Sequence, residues 1–225
     1  MSLEIRKGES LAIVGPSGAG KTTVADMLLG LIRPSSGTIE LDGRWLAADE
    51  VIASISYVPQ SIYLLDDTLR RNVAFGIADF EIDDARVQQA LTLAQMDELL
   101  ASLPDGINTF VGERGVRLSG GQRQRIGIAR ALYGDPEFLV LDEATAALDV
   151  ETERRFTDTV HDLASRKTLV VIAHRLSTVR QCHRIAFMEN SRIVDVAPFD
   201  ELLLRNARFR ELVEVAELRT DHVLT

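Results

Sequence analysis

Cysteine and aromatic residues are scarce in this sequence: one cysteine occurs among 225 residues, and Phe, Trp and Tyr together make up 5%. A single thiol, that of Cys182, can form neither an internal disulfide nor a cysteine cluster for a metal, so we expect a structural cysteine in a reducing compartment. Long apolar runs are missing too, because runs such as 138–141 and 169–173 are far shorter than the roughly 20 residues that span a bilayer. The first residues lack the apolar core and cleavage site of a signal peptide. We therefore expect the chain by itself to be soluble and cytoplasmic.

Basic residues are in the minority, with 25 Lys and Arg against 34 Asp and Glu and a net charge of −9. Since no long basic run occurs, this balance argues against broad electrostatic capture of nucleic acid or anionic lipid. We expect no nucleic-acid partner. Apolar residues, in contrast, make up 46% of the chain, which at this length is enough for one large domain with a sizeable core.

Short runs rich in Ile and Val alternate with segments of helical periodicity. The runs are 11–14, 55–58, 138–141 and 169–173. This alternation predicts an α/β fold with a buried, mostly parallel sheet. After the first run we expect a helix that has Val24, Met27, Leu28 and Leu31 on its apolar face and ends before Pro34.

The middle of the chain, from about 68 to 134, has mostly helical patterns, among them 87–100. We predict a helical subdomain there, inserted into an α/β core formed by about 1–67 and 135–225. Shorter patterns predict a strand at 38–42, a hairpin of 184–188 with 192–196, and terminal helices over 199–218.

A glycine-rich segment, Gly15-Pro-Ser-Gly-Ala-Gly-Lys21-Thr22, matches the phosphate-binding P-loop pattern between a predicted strand and a predicted helix. Its glycines let backbone N–H groups point at phosphate oxygens, and the helix N-terminus adds a favourable dipole. We assign Lys21 to the β- and γ-phosphates and Thr22 to Mg²⁺. The nucleotide contacts that we predict here are Gly15, Pro16, Ser17, Gly18, Ala19, Gly20, Lys21, Thr22 and Thr23. The alternative, a Gly-rich turn with a solvated lysine, is disfavoured because every constrained position agrees.

Two acids, Asp142 and Glu143, end the apolar run that begins at Phe138. Ligands of open α/β sheets bind at the carboxyl ends of strands, so Asp142 is a candidate for holding Mg²⁺, usually through a water. Glu143 is a candidate for polarising the water that attacks the γ-phosphate. The alternative for this pair is a solvated turn that caps a helix. A P-loop alone is also compatible with kinases, GTPases and helicases.

The segment Leu118-Ser-Gly-Gly-Gln122 opens another predicted helix. A capping box between Ser119 and Gln122 would explain those two residues. It does not explain Gly120 and Gly121, each of which costs up to about 1 kcal/mol relative to alanine in a helix. We infer that a phosphate approaches this helix N-terminus.

Segment 118–122 resembles the signature motif of the ATP-binding cassette (ABC) family, and the chain as a whole resembles the nucleotide-binding domain of an ABC exporter. Three more family elements follow the expected order: Gln60 in Val-Pro-Gln, Asp149 in Ala-Ala-Leu-Asp, and His174 after Val-Val-Ile-Ala. The resemblance covers most of the chain. It implies a single domain, 1–225, with the P-loop NTPase fold: a RecA-like core, the inserted helical subdomain and an incomplete antiparallel β-subdomain.

The resemblance also implies roles and cofactors. Gln60 would help to position Mg²⁺ and water and link the site to a membrane domain, and His174 would contact the γ-phosphate. Together with Lys21 and Glu143 they form the expected catalytic set. The expected ligands are ATP and Mg²⁺, with further nucleotide contacts from Ser119, Gly120, Gly121, Gln122 and Asp149. Taken alone, Gln60 is typical of a solvated loop, His174 of a core residue and Asp149 of a helix N-cap.

In this family one subunit's signature motif faces the other subunit's P-loop, so two ATP molecules lie between two head-to-tail subunits. The chain carries both halves of such a site, which favours a homodimer, with a heterodimer as the alternative. We expect an ATPase that powers transport at the cytoplasmic side of the inner membrane through a fused or separate transmembrane domain.

Segments 109–115 and 174–179 resemble the X-loop and the switch segment of exporters, which favours export or flipping over import. A soluble ABC-type ATPase acting on DNA or translation is the main alternative, although the long coiled-coil insertion, second cassette or basic segment of such proteins is missing from the sequence. A regulatory module without turnover is disfavoured by Glu143 and His174. The sequence leaves the transported substrate open.

Members of the family have further strands and an adenine-stacking aromatic residue upstream of the P-loop strand, and here 14 residues precede Gly15. Trp45 and Tyr57 are not at the matching position. We expect a piece of a longer polypeptide that includes membrane helices, with a short reading frame as the alternative.

Overall fold

A computed structural model describes residues 2–45, 55–112, 115, 118–142, 158–163, 166–173 and 175–221. The chain folds as two compact units, which are described separately. Unit 1 comprises Met1–Tyr57, Glu137–Glu143 and Ala164–Thr225, and unit 2 comprises Val58–Pro136 and Ala144–Leu163. Within the described ranges, no helix has both the length and the apolar character that a membrane span requires.

Eight strands belong to the described residues. In chain order they are β1 Ser10–Val14, β2 Glu40–Leu41, β3 Arg44–Trp45, β4 Ile55–Val58, β5 Phe138–Asp142, β6 Thr168–Ile172, β7 Arg184–Glu189 and β8 Arg192–Ala197. Six of them form a sheet in the order β4-β5-β6-β1-β7-β8, and β2 and β3 form a separate antiparallel pair. The neighbours β5–β6, β6–β1 and β1–β7 pair in parallel, while β7–β8 is antiparallel. The predicted α/β fold with a mostly parallel central sheet is thereby confirmed.

The central strands are buried because their sequences are continuous apolar runs. Every residue of β1 and β6 is buried, as is typical of parallel strands that are covered on both faces. The β7–β8 hairpin depends on its turn and not on a continuous apolar run. In this turn Asn190 and Ser191 adopt left-handed backbone angles, with φ of 48° and 60°. Such a turn suits the twist of two antiparallel strands, and it confirms the predicted hairpin.

Eight α-helices have both ends within the described ranges. They are α1 Lys21–Leu28, α2 Leu69–Val73, α3 Asp84–Leu93, α4 Asp97–Ser102, α5 Gly120–Leu132, α6 Leu176–Val179, α7 Phe199–Arg205 and α8 Ala207–Asp221. Residues 158–163 are also helical. The terminal helices α7 and α8 confirm the prediction for 199–218, and Phe209 of α8 packs edge-on against Phe187 and Phe199.

Helix α1 is shorter than predicted. It ends at Leu28, and Gly30 then adopts a left-handed φ of 71° while the Leu31 N–H donates to the Asp26 carbonyl at 2.9 Å. This reversal leaves the Leu31 side chain 63% exposed. The helix does end before Pro34, as expected, but the expectation that Leu31 lies on its apolar face was wrong, because Gly30 permits an early C-terminal cap.

Unit 2 is built mainly from α2 to α5. The helical pattern over 87–100 is divided between α3 and α4, because Gln95 adopts a left-handed φ of 55° after the end of α3. Asn72 of α2, whose side chain is fully buried, forms hydrogen bonds to the backbone of the segment that follows β4. Its Oδ1 accepts the Leu65 N–H at 2.8 Å, and its Nδ2 donates to the carbonyls of Leu65 and Thr68 at 3.1 and 3.0 Å.

Candidate functional site

The glycine-rich loop connects β1 to α1 and packs closely on the sheet. A Cβ atom at Gly15 would lie 2.2 Å from the Met188 carbonyl oxygen of β7, so only glycine fits there. Gly18 and Gly20 have left-handed φ values of 78° and 94°. Because α1 has no side-chain cap and no acidic residue in its first turn, its positive N-terminal dipole is not offset there. The loop is thus suited to binding an anion.

Lys21 places a cation inside this loop. Its side chain is only 6% exposed, and Nζ donates to the carbonyl oxygens of Gly15 and Pro16 at 3.0 and 3.1 Å. A buried ammonium is stable only with polar or charged partners, and these two carbonyls supply part of that compensation. Next to it in sequence, Thr22 and Thr23 are exposed on the first turn of α1. A phosphate group bound by the loop would meet both the backbone amides and this cation.

Asp142 lies at the same edge of the sheet as the loop. It is in register with Ile172 of β6, which is in turn in register with Ile13 of β1, two residues before Gly15. Two strand spacings correspond to about 10 Å, so the carboxylate and the loop flank one short stretch of the sheet edge. The Asp142 residue is 8% exposed.

Tyr57, at the end of β4, contacts this carboxylate directly. Its hydroxyl donates a hydrogen bond of 3.1 Å to Asp142 Oδ2. Burial, the charge of Asp142 and this hydrogen bond raise the pKa of the Tyr57 hydroxyl above its usual value, so the phenol remains a donor. The sequence interpretation considered Tyr57 only as an adenine-stacking residue and missed this contact. Tyrosine at the end of an apolar run was the available signal, but the sequence does not reveal that β4 lies beside β5.

Thr22 and Asp142 are the two predicted metal ligands that lie in unit 1, and the chemistry of both side chains fits a magnesium ion. Thr22 offers a hydroxyl and Asp142 a carboxylate, and hard cations prefer oxygen ligands. Asp142 is buried and accepts a hydrogen bond from Tyr57 at one of its two carboxylate oxygens. Among the residues that the structure describes, no group of three or more His, Cys, Asp or Glu is arranged to hold a metal.

The remaining predicted residues of the core site are only partly described. Gln60 is exposed and follows β4 by two residues, in unit 2. Glu143, Asp149 and His174 lie outside the described residues. The roles assigned to all four stay predictions.

The predicted signature segment opens α5 in unit 2, and Ser119 is its N-cap. Ser119 Oγ accepts the Gln122 N–H at 3.2 Å, and Gln122 Oε1 accepts the Ser119 N–H at 2.8 Å, which completes a capping box. Ser119 and Gly120 are exposed, whereas Gly121 is buried. The capping box thus accounts for the serine and the glutamine, and a phosphate contact at this helix end stays a prediction.

Cys182 does not belong to either segment. It is buried, its thiol donates to the Thr178 carbonyl at 3.5 Å, and burial raises the pKa of the thiol to about 12. Such a thiol is inert at neutral pH, in agreement with the structural role expected from the sequence.

Comparisons with known proteins agree on one family. The family described as ABC transporter matches residues 1–146. An ATP-dependent lipid A-core flippase of Ralstonia nicotianae is 44% identical over 216 residues, which cover 94% of this chain and 36% of the relative. The β-(1→2)glucan export ATP-binding/permease protein NdvA of Mesorhizobium japonicum is 42% identical over 224 residues, covering 98% and 38%.

A solved structure, that of a bacterial Atm1-family ABC exporter with ATP bound, superposes with a TM-score of 0.84 at 38% identity. The match covers 95% of this chain and 38% of the exporter chain. The chain thus spans a little over a third of the length of these relatives.

Proposed function

Since the chain belongs to the ABC transporter family, we propose that it is the part of an exporter that binds and hydrolyses ATP. The observation that carries this proposal is the sheet edge of unit 1. There a loop with an uncapped helix N-terminus and a buried Lys21 flanks the buried carboxylate of Asp142. This combination of an anion cradle and a cation ligand suits a nucleotide with its metal.

Within this proposal, the loop amides and Lys21 bind the β- and γ-phosphates, while Thr22 and Asp142 hold Mg²⁺. Bound Mg²⁺ would neutralise charge that develops on the phosphate oxygens. Gln60 is proposed to complete the metal and water positions. The described contacts support the roles of Lys21 and Asp142. Lys21 Nζ donates to two carbonyl oxygens of the loop, and Asp142 accepts a hydrogen bond that orients its carboxylate.

Hydrolysis is proposed to use Glu143, which would polarise the attacking water, and His174, which would contact the γ-phosphate. We expect Glu143→Gln to abolish steady-state phosphate release, because the amide cannot accept a proton from the water. ATP-driven dimerisation should remain, since the phosphate-binding loop is unaltered. Phosphate release and sedimentation with and without ATP measure the two properties. Unchanged turnover would show that Glu143 is not the base.

The catalytic unit is proposed to be a head-to-tail dimer, in which Ser119, Gly120, Gly121, Gln122 and Asp149 of one subunit contact the nucleotide held by the other. A homodimer is favoured because one chain carries both sets. Turnover per chain should then rise with protein concentration until dimers predominate. A rate that stays constant over a range in which sedimentation detects only monomers would contradict this assembly.

The transport partner is proposed to be a transmembrane domain, fused or separate, with this chain on the cytoplasmic side of the membrane. Export or flipping is the proposed direction, because the relatives include a flippase and an export protein. Reconstitution with a membrane domain, or its co-purification, tests this part. A soluble ABC-type ATPase remains the alternative, and no described feature favours it.

A further inference from the structure

Among the residues that the structure describes, Tyr57 is the side chain that the site geometry adds to the predicted set. The hydroxyl donates to Asp142 Oδ2 at 3.1 Å, from a strand adjacent to the one that carries Asp142. We propose that Tyr57 is a positioning residue: its hydroxyl fixes the orientation of the Asp142 carboxylate for the Mg²⁺ that accompanies the nucleotide. This inference rests on the proposed function, because it assumes that the sheet edge binds a nucleotide with its metal.

The location of Tyr57 on β4 supports such a role. Ile55, two residues earlier and hence on the same face of the strand, packs against the core cluster that contains Val24 and Ala25 of α1. Tyr57 is therefore on the face of the sheet that carries α1, the helix that begins with the phosphate-binding loop. In agreement with this placement, the charge of Asp26 in α1 contributes to the raised pKa of the Tyr57 hydroxyl.

A hydrogen bond from Tyr57 matters because the terminal torsion of an aspartate is broad and has no sharp staggered minimum. A carboxylate held at one oxygen presents its other oxygen in a restricted direction. Partners in the outer shell of a metal site act in this way, and their removal commonly weakens metal binding. The phenol engages a single oxygen of Asp142, so its bond and a contact to a metal-bound water are compatible.

A purely structural role for Tyr57 would give a different signature. Tyr57 as a residue is 36% exposed, so part of its side chain is in contact with protein and can contribute by packing alone. If the ring merely packs, Tyr57→Phe should leave nucleotide binding unchanged both with and without metal. If the hydroxyl positions Asp142, only the gain in affinity that Mg²⁺ provides should change.

The test is calorimetric titration of ATP into the chain, once with Mg²⁺ and once with EDTA. We expect Tyr57→Phe to reduce the Mg²⁺-dependent gain in affinity about tenfold, the lower end for loss of an outer-shell partner, and to leave the affinity in EDTA unchanged. Tyr63→Phe is the matched control, because this tyrosine is 61% exposed in unit 2 and should behave as the wild type. In an Asp142→Asn background, Tyr57→Phe should have no further effect on the gain.

Each other outcome has a defined meaning. A wild-type chain that bound no ATP would overturn the proposed function and this inference with it. A wild type with a clear Mg²⁺-dependent gain that Tyr57→Phe retained would overturn this inference alone. A larger Mg²⁺-dependent gain in affinity for Tyr57→Phe than for the wild type would also overturn it, because the hydroxyl would then compete with the metal. The inference would be overturned as well if Tyr57→Phe reduced this gain by the same factor in the Asp142→Asn background as in the wild type.

Discussion

At the residue scale, the buried charges of the described residues separate into two groups. Four charged residues are more than nine-tenths buried: Glu9, Lys21, Arg125 and Asp142. Glu9 and Arg125 have partners in the folded chain, namely Arg184 and the Gln95 carbonyl. Lys21 and Asp142 lie at the sheet edge beside the loop. In the proposed function these two charges are the ones that a bound anion and a bound cation would contact.

The sequence predicted Lys21 and Asp142 as site residues. It predicted neither the contact of Tyr57 with Asp142 nor the Glu9–Arg184 ion pair. Lys21 and Asp142 belong to local patterns whose spacing carries the information. The pair joins the start of β1 to the start of β7, 175 residues away. Contacts between distant segments depend on the sheet order, which local patterns do not contain.

We predict that the Glu9–Arg184 pair makes stability depend on pH. Burial alone would raise the pKa of Glu9, but the bonds from Arg184 and the Arg6 backbone lower it below its usual value. A lowered pKa stabilises the fold above the unfolded-state pKa near 4.5, and this stabilisation is lost as pH falls through the folded-state value. Arg184→Met should therefore cost about 2 kcal/mol at neutral pH and clearly less below about pH 4.

Urea unfolding at pH 7 and at acid pH measures this difference. Lys7→Met is the matched control, because Lys7 and Glu137 form an ion pair whose side chains are 78% and 79% exposed. Exposed pairs contribute little, so this variant should match the wild type at every pH. An Arg184→Met deficit that did not shrink in acid would assign the loss to packing of the arginine side chain and not to the pair.

At the element scale, the central strands were predictable and the helix ends were not. The apolar runs locate β1, β4, β5 and β6 to within one residue at each end. For β1, β5 and β6 the reason is that a strand covered on both faces must be apolar throughout, whereas β4 lies at the end of the strand order and is only partly buried. The end of α1 depends on Gly30, and the break after α3 depends on the left-handed conformation of Gln95. Glutamine seldom adopts that conformation, so composition gave no warning of the break.

Helix α5 contains a glycine whose role is packing. A Cβ atom at Gly127 would lie 2.3 Å from Ile62 Cδ1 and 2.7 Å from its Cγ1, so the segment after β4 packs directly on the helix backbone. Gly127→Ala should destabilise the chain by about 1–3 kcal/mol, because overpacking outweighs the better helix propensity of alanine. With Ile62→Ala already present, the same change should stabilise the chain by up to about 1 kcal/mol.

Chemical denaturation of the four members of this cycle gives the coupling between Ile62 and Gly127. Gly134→Ala is the matched control, since a Cβ atom there meets nothing within 4 Å, and its effect should be small. A stabilising Gly127→Ala in the wild-type background would mean that Ile62 does not occupy the space over the helix.

At the scale of the whole molecule, the sequence predicts the fold class and the order of motifs but not which strands are neighbours. The order β4-β5-β6-β1-β7-β8 places β1, the first strand in the chain, between two strands from its last third. The register of these strands then brings Asp142 level with the start of the loop, although 127 residues separate Asp142 from Gly15. The proposed division of each catalytic site between two chains is likewise a property of the assembly, and it calls for a test at that scale.

Two variants that each lack one half of the proposed site provide this test. Lys21→Ala removes the cation from the loop. Ser119→Asp keeps an N-cap for α5, because aspartate caps as well as serine, but it sets a negative charge against the phosphate expected there. In a homodimer of either variant both sites are defective, so each protein alone should hydrolyse ATP very slowly.

Mixing the two proteins should restore turnover, because in a head-to-tail pair one site combines the intact loop of the Ser119→Asp chain with the intact helix end of the Lys21→Ala chain. About half of the randomly formed dimers are mixed and one of their two sites is intact, so an equimolar mixture should reach about a quarter of the wild-type rate if the sites act independently. Phosphate release, measured after exchange of subunits without nucleotide, gives the rate. Ser119→Asn, which caps without adding charge, separates the repulsion from any loss of the serine itself. A mixture no faster than the mean of its components, at concentrations where the wild type is dimeric, would rule out a site shared between the two chains.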